Sequence, residues 1–112
     1  MIENLSEGKC EPCEGNVPKL NKSQIDEYLS KLENWSLNDQ QEMIFRKFKF
    51  PTFQKALDFT NKVGQIAENE GHHPDISLGW GYCLILIHTH AIKGLSVNDF
   101  ILASKIDKIY IE

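Results

Sequence analysis

Three histidines with short, defined spacings carry the strongest chemical signal in this sequence. His72 and His73 are adjacent and precede Pro74, whereas His90 follows Thr89 at the far end of an apolar stretch. An unperturbed imidazole changes its charge between pH 5 and 8, so it can give or take a proton near neutral pH. Several imidazoles brought to one place therefore indicate general acid–base chemistry.

The composition describes a small, acidic protein. The 112 residues are 41% hydrophobic and 25% charged, which suits one domain with a single core. A formal net charge of −4 disfavours nucleic acid or an anionic membrane as the main partner. No apolar run approaches the roughly 20 residues of a bilayer span, and the first ten residues do not resemble a signal peptide. Because three cysteines also disfavour a disulfide framework, we expect a cytoplasmic location.

The first part of the chain predicts a tail followed by a helix. Residues 1–19 contain scattered glycine and proline with little periodicity, so a flexible N-terminal tail is expected, with the domain spanning 20–112. Ser23, with Asp26 three residues later, resembles a helix capping box. Apolar residues then recur at i, i+3, i+4 and i+7, which predicts an amphipathic helix.

The remaining pattern alternates short strands with two further helices. Strands are predicted at 35–37 and 43–50, and a helix at 52–69 that ends at Gly71. A second hairpin follows, and the last helix is predicted at 96–110. The order helix, hairpin, helix, hairpin, helix predicts an α+β domain in which helices cover one face of an antiparallel sheet.

The turn of the second hairpin determines which residues face each other. Gly81-Tyr82 can form a type II′ turn, with glycine at positive φ in the first central position. That turn would place His73 opposite His90, with Cβ atoms about 4.5–5.5 Å apart, and His72 beside them. The other pairs expected in this register are Trp80 with Cys83, Leu78 with Ile85, Ile76 with Ile87, and Asp75 with His88. We therefore expect the histidines to cluster at the open end of the hairpin.

Two carboxylates lie within reach of the predicted cluster. Glu68 is four residues before His72, and Asp99 is nine residues after His90. A carboxylate beside a histidine fixes its tautomer and favours the protonated ring. Each residue also has an ordinary interpretation, since Asp99 fits a capping pattern at the start of the last helix and Glu68 suits a solvated helix position. His88 is expected to be exposed and outside the site.

A metal site is the main chemical alternative. His88 and His90 lie on the same strand face, as in some zinc sites, and Cys10 and Cys13 form a CxxC pair. A single CxxC is a weak signal for zinc, and Cys83 falls on the opposite, buried face. The sequence therefore favours a site without metal.

The histidine spacing is part of a longer motif that resembles the pterin-4a-carbinolamine dehydratases. The motif runs Ala67-Glu68-x-x-x-His72-His73-Pro74, then Trp80, then Thr89-His90-x-x-x-Gly94-Leu95-Ser96-x-x-Asp99. Upstream, the resemblance continues through Arg46-x-Phe48-x-Phe50, so it covers about residues 20–110. Several segments around the motif are similar to bacterial-type members.

The resemblance implies both a fold and a reaction. The fold would be α+β, a four-stranded antiparallel sheet with three helices on one face, in agreement with the predicted order. The reaction would be the dehydration of 4a-hydroxytetrahydrobiopterin, or a related 4a-hydroxytetrahydropterin, to the quinonoid dihydropterin. This reaction would recycle the cofactor of aromatic amino acid hydroxylases, and it implies a functional link to such an enzyme. No metal or organic cofactor is implied.

The family's site residues transfer onto this motif one by one. The resemblance implies that His73 and His90 are the acid and base, in either order, and that His72 binds or orients the pterin. Residues that would bind the substrate or support the site are Glu68, Pro74, Thr89 and Asp99. Gly71 stands where animal members have an acidic residue, and Ile76 where they have an aromatic one. Both differences concern how the pterin ring is bound.

Two other functions stay open. Animal members also serve as a dimerisation cofactor for a transcription factor, so the chain could instead be a binding or dimerisation module. Leu84 and Leu86, on the sheet face away from the helices, suit self-association into a dimer or tetramer. The other alternative is a protein of this fold that acts on a molybdopterin-related compound.

Overall fold

Helices and strands alternate in the predicted order in the computed structural model, which describes Leu5, Gly8 and residues 18–110. The elements are α1 (Lys22–Leu29), β1 (Ser36–Leu37), β2 (Ile44–Lys49), α2 (Phe53–Glu70), β3 (Asp75–Gly79), β4 (Tyr82–Ile87) and α3 (Val97–Ile109), with a short 3-10 turn at His90–Ile92 before α3. The predicted α+β class is confirmed. No helix in the described part of the chain is both long and apolar enough to cross a membrane.

The four strands form one antiparallel sheet in the order β1-β2-β4-β3. Alternate residues of the central strand β4 point to opposite faces, as strand geometry requires. Cys83, Ile85 and Ile87 are fully buried in the core, whereas Leu84 and Leu86 are only half-buried. The helices therefore cover one face of the sheet, as predicted.

The core lies between this sheet face and the helices. Phe48 from β2 is almost fully buried, and its ring centroid lies 4.7 Å from that of Phe59 and 4.9 Å from that of Tyr110. Leu5 is also buried in the core. Apart from Leu5, Gly8, Pro18 and Lys19, the predicted tail, with Cys10 and Cys13, lies outside the described residues.

The helix ends follow local capping rules. At α1, Asn21 and Gln24 form the capping box: each side chain accepts a hydrogen bond of 2.9 Å from the other's backbone N–H. The box therefore lies two residues before the predicted Ser23. Thr52 caps α2, and Gly71 ends it in the left-handed conformation at φ 65°, as predicted.

The second hairpin is shifted by two residues from the predicted register. Its turn is Trp80-Gly81, since Gly79 pairs with Tyr82, and Gly81 has φ 77° in the second central position. Glycine at position 79 makes this pairing possible, because a Cβ there would lie 2.3 Å from Cε2 of the Tyr82 ring. The predicted opposition of His73 and His90 is therefore wrong. The other predicted pairs are wrong for the same reason: Trp80 with Cys83, Leu78 with Ile85, Ile76 with Ile87, and Asp75 with His88.

A shift of two residues leaves the faces of the strands unchanged, because side chains alternate with a period of two. Cys83, Ile85 and Ile87 still point into the core, and Ile76 packs against it. Trp80 is the exception, since it lies in the turn and is 74% exposed. The prediction of the faces thus survived an incorrect turn.

Candidate active site

A cleft of about 340 Å³ lies beside the C-terminal end of α2 and the segment that follows β4. The left-handed conformation of Gly71 ends α2, and the N–H of His72 still donates to Ala67 O at 3.2 Å. The chain then passes through His73 into β3. The cleft is lined by Gly71, His72, His73, Asp75, His88, His90 and Ala91. The fold therefore brings all four histidines of the chain to one cavity.

A buried hydrogen-bond network holds His72. Its Nε2 atom lies 2.6 Å from Asp99 Oδ1, and both side chains are almost completely buried, at 4% and 0% exposed. The other carboxylate oxygen, Asp99 Oδ2, accepts from Thr89 Oγ1 at 2.9 Å and from the backbone N–H of Ser96 at 2.8 Å. Two donors already reach Oδ2, and an ionised carboxylate accepts only, so the contact fits a His72 ring that donates from Nε2.

Asp99 has both of the roles that the sequence suggested for it. It is the third residue of α3, and together with Ser96 it forms the capping box of that helix. The same carboxylate binds His72 through its other oxygen. One side chain therefore stabilises the start of α3 and contacts a histidine of the cleft.

His73 forms a second carboxylate–imidazole pair, on the surface. Its Nε2 atom lies 2.6 Å from Glu68 Oε1, and the two side chains are 61% and 74% exposed. Glu68 therefore reaches the site through His73. Glu68 also occupies the solvated helix position that the sequence indicated.

His88 and His90 lie next to each other in the lining of the cleft. Their ring centroids are 4.0 Å apart, with an angle of 59° between the planes. His88 Nε2 lies 3.7 Å from Asp75 Oδ2. His88 was expected to be exposed and outside the site, but it is only 18% exposed and it lines the cleft. Its position two residues before His90 on one strand face was the signal that could have identified it.

The remaining predicted residues have supporting positions. Thr89 is completely buried; its hydroxyl binds Asp99, and its backbone N–H donates to Gly94 O at 2.9 Å. Pro74 is half-buried directly before β3 and does not line the cleft. Ser96, which belongs to the motif, also contacts Thr89, with 3.0 Å between their hydroxyl oxygens.

The candidate ligands for a metal ion near the cleft are the histidine, cysteine and acidic side chains in the described part of the chain. Among the described residues, no group of three or more histidine, cysteine, aspartate or glutamate side chains could hold a metal ion. Burial raises the pKa of the Cys83 thiol, which disfavours the thiolate that a metal would need. Cys10 and Cys13 lie outside the described residues.

Comparison with known proteins relates most of the chain to one family. Residues 18–109 match the family described as pterin 4 alpha carbinolamine dehydratase. A protein of Rickettsia canadensis, whose assigned name is that of a pterin-4-alpha-carbinolamine dehydratase, is 54% identical over 104 residues. That match covers 92% of this chain and 94% of the relative.

Two solved structures share the fold. The crystal structure of a transcriptional coactivator/pterin dehydratase from Brucella melitensis superposes with a TM-score of 0.79 at 30% identity, covering 82% of this chain and 98% of that one. A pterin dehydratase-like protein identified as a RuBisCO assembly factor in the alpha-carboxysome has a TM-score of 0.59 at 21% identity. That match covers 68% of this chain and 88% of the other, and it shows the fold alone.

Proposed function

The chain belongs to the pterin-4a-carbinolamine dehydratase family, a family of hydro-lyases, and we propose that it dehydrates a 4a-hydroxytetrahydropterin by histidine acid–base catalysis. The observation that supports this mechanism is the cleft lined by four imidazoles. Its volume of about 340 Å³ falls in the range of small-molecule sites. A flat bicyclic pterin is a ligand of suitable size.

The reaction needs one proton donor and one proton acceptor. An imidazolium protonates the hydroxyl on C4a, the C4a–O bond breaks and water leaves. The N5 lone pair forms the C4a–N5 double bond, and a neutral imidazole takes the proton from N5. The products are the quinonoid dihydropterin, water, and two histidines that have exchanged their protonation states. Each proton transfer can contribute roughly 10²–10⁴-fold.

We assign the two proton transfers to His73 and His90. Both side chains are exposed at the cleft, so both can contact a bound substrate and exchange protons with water between turnovers. Glu68 accepts a hydrogen bond from His73 and stabilises its protonated form.

His72 is assigned to binding and orienting the pterin. It lines the cleft, but Asp99 and the surrounding core hold its ring in place. A ring that is fixed in this way suits recognition of a rigid ligand. Asp99, Thr89 and Ser96 then act on the substrate only through His72, as its support.

The physiological setting follows from the reaction. The substrate would be 4a-hydroxytetrahydrobiopterin or a close analogue in the cytoplasm, and the product would return to an aromatic amino acid hydroxylase after reduction. Leu84 and Leu86, at the centre of the sheet face that the helices leave uncovered, suit assembly into a homo-oligomer. Sedimentation analysis of the wild type and of Leu84→Lys tests that assembly.

A dehydratase assay on four proteins tests the proposed mechanism: wild type, His73→Ala, His90→Ala and Asp99→Ala. Each variant should lose at least about 10²-fold in kcat, with circular dichroism as the control for folding. The mechanism is wrong if all three folded variants turn over at the wild-type rate. Adding a chelator tests the zinc alternative, and it should leave the rate unchanged.

A role as a binding module is the second candidate. It is favoured by the relative from Brucella melitensis, whose structure is described as both a coactivator and a pterin dehydratase. The variant His73→Ala/His90→Ala separates the two functions. Loss of the biological function together with turnover supports the enzyme, whereas its retention supports the binding module.

A further inference from the structure

His88 is a cleft residue to which the acid–base scheme gives no role. The strand β4 ends at Ile87, but its alternation continues through the next three residues. Thr89 points into the core, where it binds Asp99, so His88 and His90 lie together on the other face. Their ring centroids are only 4.0 Å apart.

His90 needs a contact of this kind because burial does not fix its ring. It is exposed, and it is the first residue of the 3-10 turn after the sheet. An exposed side chain samples several rotamers, whereas proton transfer needs a defined position relative to the substrate. The His88 ring is 18% exposed and therefore offers His90 a more rigid surface.

Asp75 is the acidic neighbour of His88. This residue begins β3 and pairs with Leu86 in the sheet, so it lies diagonally across from His88. Its Oδ2 atom is 3.7 Å from His88 Nε2. Asp75, His88 and His90 thus form a row that leads from the sheet to the cleft.

We propose that His88 is a positioning residue, which holds the His90 imidazole at the cleft by ring contact. The inference rests on the proposed function, because His90 must transfer a proton for its orientation to matter. The role requires an aromatic face at position 88, and it does not require a ring nitrogen there. It is therefore distinct from a further proton donor.

A double-mutant cycle tests the coupling of the two residues. His88→Ala should lower kcat about tenfold with KM changed less than about twofold, because orientation acts on the transition state. His88→Phe keeps the ring face and should stay within about threefold of the wild type. In the His90→Ala background, His88→Ala should change kcat by less than about twofold. The proposal is overturned if His88→Ala matches the wild type, if its effect is as large without His90, or if His88→Phe is as slow as His88→Ala.

NMR of the His90 ring protons tests the inference without measuring turnover. In the wild type and in His88→Phe, the neighbouring ring should displace the ring-proton NMR signals of His90. In His88→Ala this displacement should disappear. A wild type without turnover would overturn the proposed function, whereas unchanged His90 signals in His88→Ala would overturn the positioning contact itself.

Discussion

Two adjacent histidines form the same contact in opposite surroundings. His72 and His73 each have Nε2 at 2.6 Å from a carboxylate oxygen, of Asp99 and Glu68 respectively. Both side chains of the first pair are almost fully buried, whereas both side chains of the second pair are more than half exposed. The same chemical pair therefore occurs once as a buried contact in the core and once as an accessible contact at the surface.

The chain itself separates the two rings. Gly71 ends α2, and Pro74 disfavours helical backbone at the residue before it, which is His73. Successive side chains of an extended segment point to opposite sides. His72 therefore points into the core and His73 to solvent. Position in the chain, more than residue type, decides the surroundings of each imidazole.

Removal of Asp99 should have the largest effect on stability. Asp99→Ala removes the carboxylate that contacts the buried His72 and the Asp99 half of the α3 capping box, so we expect the free energy of unfolding to fall by about 3–5 kcal/mol. Asp99→Asn keeps the shape and should lose less. Urea denaturation measures both variants, with the exposed Asp26→Ala as the matched control. A loss below about 1 kcal/mol for Asp99→Ala would show that the buried network is not what holds this region.

Removal of one donor from the same network should have an intermediate effect. Thr89→Val preserves the shape of the side chain but deletes the hydroxyl that donates to Asp99. The carboxylate then lacks one of its buried partners, and the protein should lose about 1–3 kcal/mol in unfolding free energy. Thr60→Val is the matched control, since its hydroxyl contacts a carbonyl of its own helix and the Cys83 sulfur and lies outside the Asp99 network. Equal losses in the two variants would contradict a special role for Thr89.

Removal of Glu68 should have the smallest effect on stability. The pair that it forms with His73 is solvent-exposed, and such pairs contribute little. Glu68→Gln should unfold within about 0.5 kcal/mol of the wild type, while its kcat falls because the protonated form of His73 loses support. Thermal unfolding and steady-state kinetics measure the two effects. A large loss of stability would place Glu68 among the structural residues and remove the contrast between the two pairs.

Much of this architecture could be predicted from the sequence because it depends on local chemistry. The left-handed glycine at position 71 and the Ser96–Asp99 capping box are both encoded within a few residues. Strand alternation also predicted which residues of β4 are buried. The cluster of His72, His73 and His90 was predicted from a misplaced turn, but all three still line one cleft, because a shift of two residues preserves the strand faces.

The errors arose where a contact between side chains decides the outcome. The hairpin turn depends on the close approach of the Tyr82 ring to Gly79, which turn preferences do not include. His88 was interpreted as an exposed strand residue because its contact with His90 depends on how the segment after β4 turns. The buried Asp99–Thr89 contact likewise brings together residues from different elements.

The kinetics of His73→Ala, measured together with its unfolding free energy, test the division between the two pairs most directly. We predict a fall in kcat of at least about 10²-fold, with the unfolding free energy within about 0.5 kcal/mol of the wild type. A folded His73→Ala enzyme that dehydrates a 4a-hydroxytetrahydropterin at the wild-type rate would contradict the assignment of proton transfer to the exposed histidine.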